Sequence, residues 1–305
     1  AVQRGFELAC DYLLTRDEPI VVKAAGLAKG KGVFVCDDPA HAVRTVERLM
    51  IENILGEAGQ TVVVEERLTG REASVLALVD GRTIYLLECA RDYKRINDGD
   101  EGPNTGGMGA YSAAGLLPDG LLHQIEEQVF VPIVDALSLH ESPYCGVLYA
   151  GLMLTPGGPK VLEFNARFGD PETQPILMRL RSDLLDALEA TVDGRLDQIT
   201  LEWDPRPAVC VVMASRGYPD AVQDGFDIRG LEEAAGAEGG SPDDLFVFHA
   251  GTKHVAGRGP VTSGGRVLGV TALGDSIDAA RRRAYAAVSR ISFDGAHYRG
   301  DIAAT

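Results

Sequence analysis

Residues 73–88, ASVLALVDGRTIYLLE, hold two apolar runs, Ala73 to Val79 and Thr83 to Glu88, separated by Asp80-Gly81. Asp-Gly between apolar runs is a strong hairpin signal, because both central positions of the tightest hairpin turn need positive φ. A turn that short joins strands only antiparallel; parallel neighbours need a crossover of about a dozen residues or more. The same pattern returns where Pro156-Gly157-Gly158 separates Cys145 to Leu154 from Lys160 to Asn165. Few strand–helix–strand units fit between Glu65 and Asn165, so this span reads as antiparallel strands with helices, not as a doubly wound parallel sheet.

Three regions follow from a pass along the chain. In the first, to about Leu68, Val2, Phe6, Ala9, Cys10 and Leu13 fall at helical spacing until Pro19 ends the pattern. Ile20 to Lys23, Val33 to Cys36 and Thr61 to Glu66 read as strands, and Asp38-Pro39 reads as the cap and first residue of a helix. The second region, to about Asp193, contains a long polar loop, Arg91 to Ser112, and a helix from Leu121 to Leu139. A loop longer than ~15 residues inside a compact domain is usually functional or disordered. The third region starts near Arg206, with strands at Ala208 to Ala214, Leu245 to His249 and Arg266 to Ala272, then a helix from Asp275 to Arg290.

Composition excludes several function classes. A chain of 305 residues suits two or three domains, and its net charge of -16 disfavours nonspecific nucleic-acid binding. No apolar run approaches the ~20 residues that span a bilayer, and the first residues lack the pattern of a signal peptide. Five scattered cysteines without a CxxC pair fit buried thiols in a reducing cytoplasm and no zinc site. The six histidines form no metal-spaced cluster; His249 reads as a core or interface residue, and Arg281 to Arg283 as a solvated helix face. The expected partner is a small molecule.

Two stretches carry chemistry. VVKAAGLAKGKGVFVC, residues 21–36, concentrates three lysines and three glycines between two strands. It is not a Walker A loop, since Gly32 stands where a magnesium-binding Ser or Thr belongs. It fits a hairpin loop closing over phosphate oxygens, with Lys23, Lys29 and Lys31 donating, and it fits a solvated turn equally well. In Val161-Leu-Glu-Phe-Asn165, side-chain alternation puts Glu163 and Asn165 on one face while Leu162 and Phe164 fill the other. Paired oxygen donors suit a hard cation such as magnesium. Arg167 shares that facing if the strand continues, a placement that suits phosphoryl transfer.

KAAGLAKGKGV, EERLTGREASVLALVDG, DYKRINDGDEGPNTGGMGAYS, GVLYAGLML and VLEFNARFGDPETQ occur in this order. Together with the tail from FHAGTKHVAGRG onward, they resemble the glycinamide ribonucleotide synthetase (phosphoribosylamine–glycine ligase) family of the ATP-grasp superfamily. The resemblance implies an α+β ATP-grasp fold: a lead-in helix over 1–16, a lid over 17–70, a core over 71–195 and a C-terminal α+β domain over 196–305. It also implies ATP-dependent joining of glycine to 5-phosphoribosylamine through glycyl phosphate, with magnesium or manganese.

By that resemblance Lys23, Gly30, Lys31 and Gly32 contact ATP phosphates, Glu65, Glu66 and Leu68 hold adenine, and Glu72 meets the ribose. Glu163 and Asn165 match the metal ligands. Lys94, Arg95, Arg167 and Asp170 line the transfer site, with Asn104, Thr105, Gly106 and Gly107 toward the acceptor. Ala25 departs from the family's usual aspartate and Tyr93 from its usual histidine. The family also begins with a Rossmann-like domain that this stretch of sequence does not contain. Another ATP-grasp carboxylate–amine ligase, or a nucleotide-binding fragment without catalysis, are the competing expectations.

Overall fold

The computed structural model describes residues 1–28, 32–139, 143–235 and 241–304, which form two compact units, Ala1–Thr69 and Gly70–Thr305. Lys29, Gly30 and Lys31 lie outside the described residues.

The first unit contains β1 (Val2–Gln3), α1 (Phe6–Leu13), β2 (Ile20–Ala24), β3 (Val33–Cys36), α2 (Pro39–Met50) and β4 (Val62–Glu66). Its antiparallel sheet has the order β1-β4-β2-β3. Ile20, Val22, Val62 and Val64 point to one face and are buried against Ala9 and Leu13 of α1 and Ala42, Val46 and Leu49 of α2. That period of two leaves Val21, Lys23, Val63 and Glu65 on the opposite face. Asp38 caps α2 by accepting from the His41 N–H at 2.7 Å, with Pro39 at the first helical position, where its missing N–H costs nothing.

The second unit is organised by one antiparallel sheet. Its strands are β5 (Arg71–Asp80), β6 (Ile84–Leu86), β7 (Ala90–Asp92), β10 (Gly109–Ser112), β11 (Cys145–Thr155), β12 (Gly158–Asn165), β13 (Ala208–Ala214), β14 (Leu245–His249) and β17 (Arg266–Leu273). The order is β12-β11-β5-β7-β10-β13-β17-β14, with β6 also paired to β5. Two small hairpins stand apart, β8 (Arg95–Asn97) with β9 (Glu101–Asn104), and β15 (Thr252–Val255) with β16 (Gly259–Thr262).

Both faces of β5 are covered, so its residues are buried almost continuously and alternation disappears from its sequence. Ala73, Val75, Ala77 and Val79 meet Ile125, Phe130 and Val134 from α3 (Asp119–Ile125), a π-helical turn over Glu126–Phe130, and α4 (Val131–Ser138). Leu76 and Leu78 meet Ile176 of α5 (Thr173–Arg179) and Ala187 and Ala190 of α6 (Leu184–Asp193). Toward β13 and β17, α7 (Leu231–Ala235) and α8 (Ile277–Val288) close the core, with Ala280, Ala284 and Ala287 against Val211 and Val270.

The structure corrects several expectations. The polar stretch from Arg91 to Ser112 is not a plain loop: β7 and β10 at its two ends are central strands, too short to show a periodic signal, and β10 also has glycines before it. Leu162 lies at a register shift of β12, and Val161 and Phe164 are exposed, so the second face of that edge strand is not filled as alternation predicts. The strand stops at Asn165, short of Arg167. His249 is exposed and bonds Thr252 Oγ1 at 3.0 Å. Of the five free cysteines, Cys145 is exposed and Cys10 half-buried. Arg281 and Arg283 are not simply solvated: they donate to the Gly300, Ile302 and Leu273 carbonyls.

Two buried ionic clusters tie the second unit together. The Arg179 side chain is fully buried and donates to Glu88 at 3.0 Å, Ser112 Oγ at 2.8 Å, and the Asp204 and Arg206 carbonyls. The Asp204 carboxyl, 2% exposed, accepts from Arg206 and Arg181. Hydrogen bonds from the Arg206 side chain outweigh the effect of burial and hold the Asp204 pKa down to about 2. The fold therefore favours the ionised form. That stabilisation is present above about pH 4 and is lost as pH falls toward 2, on the order of 2 kcal/mol in all. Thermal melts from pH 7 down to pH 2 are expected to show a steep acid-side loss in the wild type and a flatter one, below about pH 4, in Asp204→Asn.

Candidate active site

The first unit presents its charged residues on the face of the sheet opposite its core. Lys23 on β2 and Glu65 on β4 share that face and pair at 2.5 Å. Glu66 is exposed and Leu68 half-buried at the end of the same strand. The described glycines nearby are required by packing: a Cβ on Gly26 would lie 2.5 Å from Ala58 Cα, and one on Gly32 would lie 2.7 Å from Ala28 Cβ. Ala25 donates its backbone N–H to the Thr61 carbonyl at 2.9 Å.

In the second unit, register builds a polar face. Gly151 lies opposite both Ser74 on β5 and Glu163 on β12, and Tyr149 lies opposite both Leu76 and Asn165. Residues opposite one another point to the same face, so Glu72, Ser74, Tyr149, Glu163 and Asn165 share it. Gly151 leaves room for the Glu163 chain; a Cβ there would lie 3.3 Å from Glu163 Cγ. Arg167, just beyond the strand, reaches back to Asn165 Oδ1 at 3.4 Å.

Beneath this row lies a network that sequence reading did not assemble. Ser74 Oγ and Tyr149 Oη both donate to Glu172 Oε1, each at 2.9 Å, and Glu172 is buried. Burial first, then the negative charge of Asp92, raises the Glu172 pKa, while Lys94 and Ser74 oppose that rise. The half-buried Lys94 ammonium contacts Asp92 at 2.8 Å and Glu72 at 2.9 Å. Burial pulls its pKa down, but these two carboxylates outweigh burial and hold it well above the usual lysine value. Lys94 is thus a fixed cation, not a proton donor near neutrality. The signal available in the sequence was Ser74, a lone hydroxyl inside an apolar run, and Glu172 in DPETQ.

The loop 104–107 turns on hydrogen bonds to Lys94: Thr105 N–H and Oγ1 both donate to its carbonyl, and Gly107 N–H donates to Thr105 Oγ1. Gly107 has φ +111°, and a Cβ there would lie 2.3 Å from Pro171 Cδ. Asp170 pairs through both carboxylate oxygens with Arg266, whose Nη1 also donates to the Gly106 carbonyl at 2.7 Å. Tyr218 Oη accepts from the Gly106 N–H at 2.8 Å. Arg95 donates to the Gly102 carbonyl, and its own carbonyl accepts from the buried Arg299. Tyr93 is buried under Arg299 and accepts from the Ala303 N–H, a packing role. Sequence reading singled out neither Arg266 nor Tyr218.

A family model described as phosphoribosylglycinamide synthetase, ATP-grasp (A) domain, matches residues 2–173, and the C domain of the same synthetase matches residues 208–305. The chain belongs to the phosphoribosylglycinamide synthetase family. Within it, the chain is 55% identical over 284 residues to the phosphoribosylamine–glycine ligase of Rhodopirellula baltica, covering 93% of this chain and 64% of that protein. It is 49% identical over 299 residues to the ligase of Caldanaerobacter subterraneus, covering 98% and 70%. The chain therefore spans about two thirds of the length of these relatives.

The crystal structure of the Thermotoga maritima phosphoribosylamine–glycine ligase superposes with a TM-score of 0.87 at 36% identity, covering 99% of this chain and 73% of that one. The biotin carboxylase domain of Hydrogenobacter thermophilus 2-oxoglutarate carboxylase, solved with MgADP and bicarbonate, superposes with a TM-score of 0.69 at 14% identity and shares the fold alone. The α+β ATP-grasp expectation is borne out. No helix among the described residues is long and apolar enough to cross a membrane.

In this synthetase family member Gly107→Ala combines an unfavourable φ with a clash against proline ring atoms, neither of which a side-chain rotation relieves. It is expected to destabilise the second unit by ~2 kcal/mol or more, read as a lowered urea midpoint. Gly120→Ala, whose Cβ meets nothing within 4 Å, is the control.

Proposed function

We propose that the protein joins glycine to 5-phosphoribosylamine with ATP, through glycyl phosphate, giving glycinamide ribonucleotide, ADP and phosphate. A glycine carboxylate oxygen attacks the γ-phosphorus and ADP leaves. The phosphoribosylamine nitrogen then attacks the acyl carbon, loses a proton, and phosphate leaves. No side chain needs to act as a covalent nucleophile, so the protein's part is positioning and charge. The observation that carries this reading is Glu163 and Asn165 side by side on the sheet face that also holds Lys94 with Glu72.

Among the described residues no group of three or more His, Cys, Asp or Glu encloses a metal. That donor set fits magnesium, which takes one or two protein oxygens and completes its shell from phosphates and water. Glu163 and Asn165 would hold it, with manganese as the substitute of similar oxygen preference. When bound, the metal neutralises charge on the phosphate oxygens.

Lys23 would exchange Glu65 for phosphate oxygens, with Gly30, Lys31 and Gly32 covering them. Glu65, Glu66 and Leu68 would meet adenine and Glu72 the ribose. Arg167 would offset charge on the moving phosphoryl group, with Lys94, Arg95 and Asp170 ordering the transfer site and Asn104, Thr105, Gly106 and Gly107 the acceptor. A reducing cytoplasm, suited to five free thiols, belongs to the same reading.

ADP release by the full-length protein, measured with ATP, glycine and phosphoribosylamine omitted in turn, is expected to need all three. Release with another acid and amine would make it a different ATP-grasp ligase. ATP binding without release would make it a nucleotide-binding module. Glu163→Gln keeps the size but removes the charge on the metal, and is expected to lower turnover at least ~100-fold. Because Glu163 is exposed and free of ion pairs among the described residues, the melting temperature should stay within ~2 °C. Wild-type turnover with unaltered magnesium dependence would remove Glu163 from the site.

A further inference from the structure

We propose that Arg266 is a positioning residue: together with Tyr218, it fixes the 104–107 loop and Asp170 in one geometry before the acceptor amine arrives. The identity of that acceptor rests on the ligase reading above. The geometry does not.

Arg266 opens β17, where it lies opposite Ala214 of β13 beside a register irregularity, and the ladder to β14 begins two residues on at Leu268. Its side chain is 21% exposed. Nη2 donates to Asp170 Oδ2 at 2.8 Å, while Nη1 donates to Asp170 Oδ1 at 3.1 Å, to the Asp170 carbonyl at 3.0 Å and to the Gly106 carbonyl at 2.7 Å. Tyr218 Oη accepts from the N–H of the same Gly106. Gly106 is therefore gripped by both of its backbone groups.

The grip depends on missing side chains. A Cβ on Gly106 would lie 3.0 Å from Arg266 Cζ and 3.2 Å from Tyr218 Oη. A Cβ on Gly265 would lie 2.4 Å from Tyr218 Cδ2, so the tyrosine ring rests directly on the backbone beside Arg266. Arg266 bonds residues 160 and 96 positions away in sequence, and both belong to segments assigned to the acceptor and transfer site. Both Asp170 oxygens face the guanidinium, so this carboxylate acts as the counterpart of the grip and not as a free base.

A bidentate guanidinium–carboxylate pair supplies direction as well as charge, which an ammonium cannot reproduce. Arg266→Lys therefore separates geometry from charge. Tyr218→Phe keeps the ring on Gly265 and removes one hydrogen bond, so it guards against a variant that fails to fold.

The test measures hydrogen exchange and steady-state kinetics on the full-length protein. Neither Arg266 nor Tyr218 touches the amides of Thr105 and Gly107, which bond the Lys94 carbonyl and Thr105 Oγ1. In both variants those two amides are expected to exchange about tenfold faster, while amides of Val211 and Val270 keep their protection. KM for the amine should rise about tenfold, with kcat and KM for ATP within about twofold. Unchanged exchange at Thr105 and Gly107, or an unchanged amine KM, would overturn the proposal. So would faster exchange along β13 and β17, or an equal rise in both KM values, since those mark a general loss of structure. If the full-length protein releases no ADP, the ligase reading fails, and the exchange result alone decides whether Arg266 positions the loop.

Discussion

The four residues of β10 carry the architecture of the second unit. Their N–H and C=O groups are buried and must be paired on both sides, and they find β7 on one side and β13 on the other. Without that double ladder the sheet would end twice, once beyond β7 and once before β13. Each end would expose an edge of unpaired backbone. The join is reinforced from below by Arg179, which bonds Ser112 at the end of β10, Glu88 beyond β6, and the carbonyls leading into β13. Removing one member of so buried a set leaves the others without partners, which costs more than the pair itself contributes.

That join has a functional consequence. It sets the strands that follow Ala208 alongside the motif-bearing strands, so Arg266 and Tyr218 come within hydrogen-bond distance of Gly106 and Asp170. The other half of the polar face is set by register across β5, β11 and β12. A slip of one residue in the β11–β12 pairing would turn Glu163 and Asn165 away from Glu172 and Lys94. The irregularity at Leu162 lies just before Glu163, on the far side from Asn165, so Glu163 and Asn165 keep their alternation. Gly151, opposite Glu163, gives the carboxylate chain the space a side chain would take.

Much of the fold was legible. The hairpin at Asp80-Gly81, the strands at Ala208 to Ala214 and Val33 to Cys36, and the Asp38-Pro39 helix start are local events, decided by turn geometry, periodicity and capping within a few residues. β7 and β10 were not legible, because a strand of three or four residues is too short for a periodic signal and is held by neighbours elsewhere in the sheet. The site divided in the same way. Glu163, Asn165, Lys23 and Lys94 stood out as charged or polar residues in patterned surroundings. Tyr149 and Arg266 did not, since each lies in a run that reads as ordinary strand.

The sequence by itself determined the longer strands, that their turns make the sheets antiparallel, and which oxygen and nitrogen donors are available. Those properties depend on backbone preferences and side-chain alternation over short stretches, where few residues interact. Only the tertiary structure decided that Lys94 is enclosed by Asp92 and Glu72, that Glu172 is buried under Ser74 and Tyr149, and that Asp170 is bound to Arg266. All of those contacts but Lys94 with Asp92 are long-range pairings: Ser74 meets Glu172 across 98 residues, and Arg266 meets Asp170 across 96. Partners that far apart are chosen by sheet order and register, which depend on burying all the strands at once and not on any local stretch.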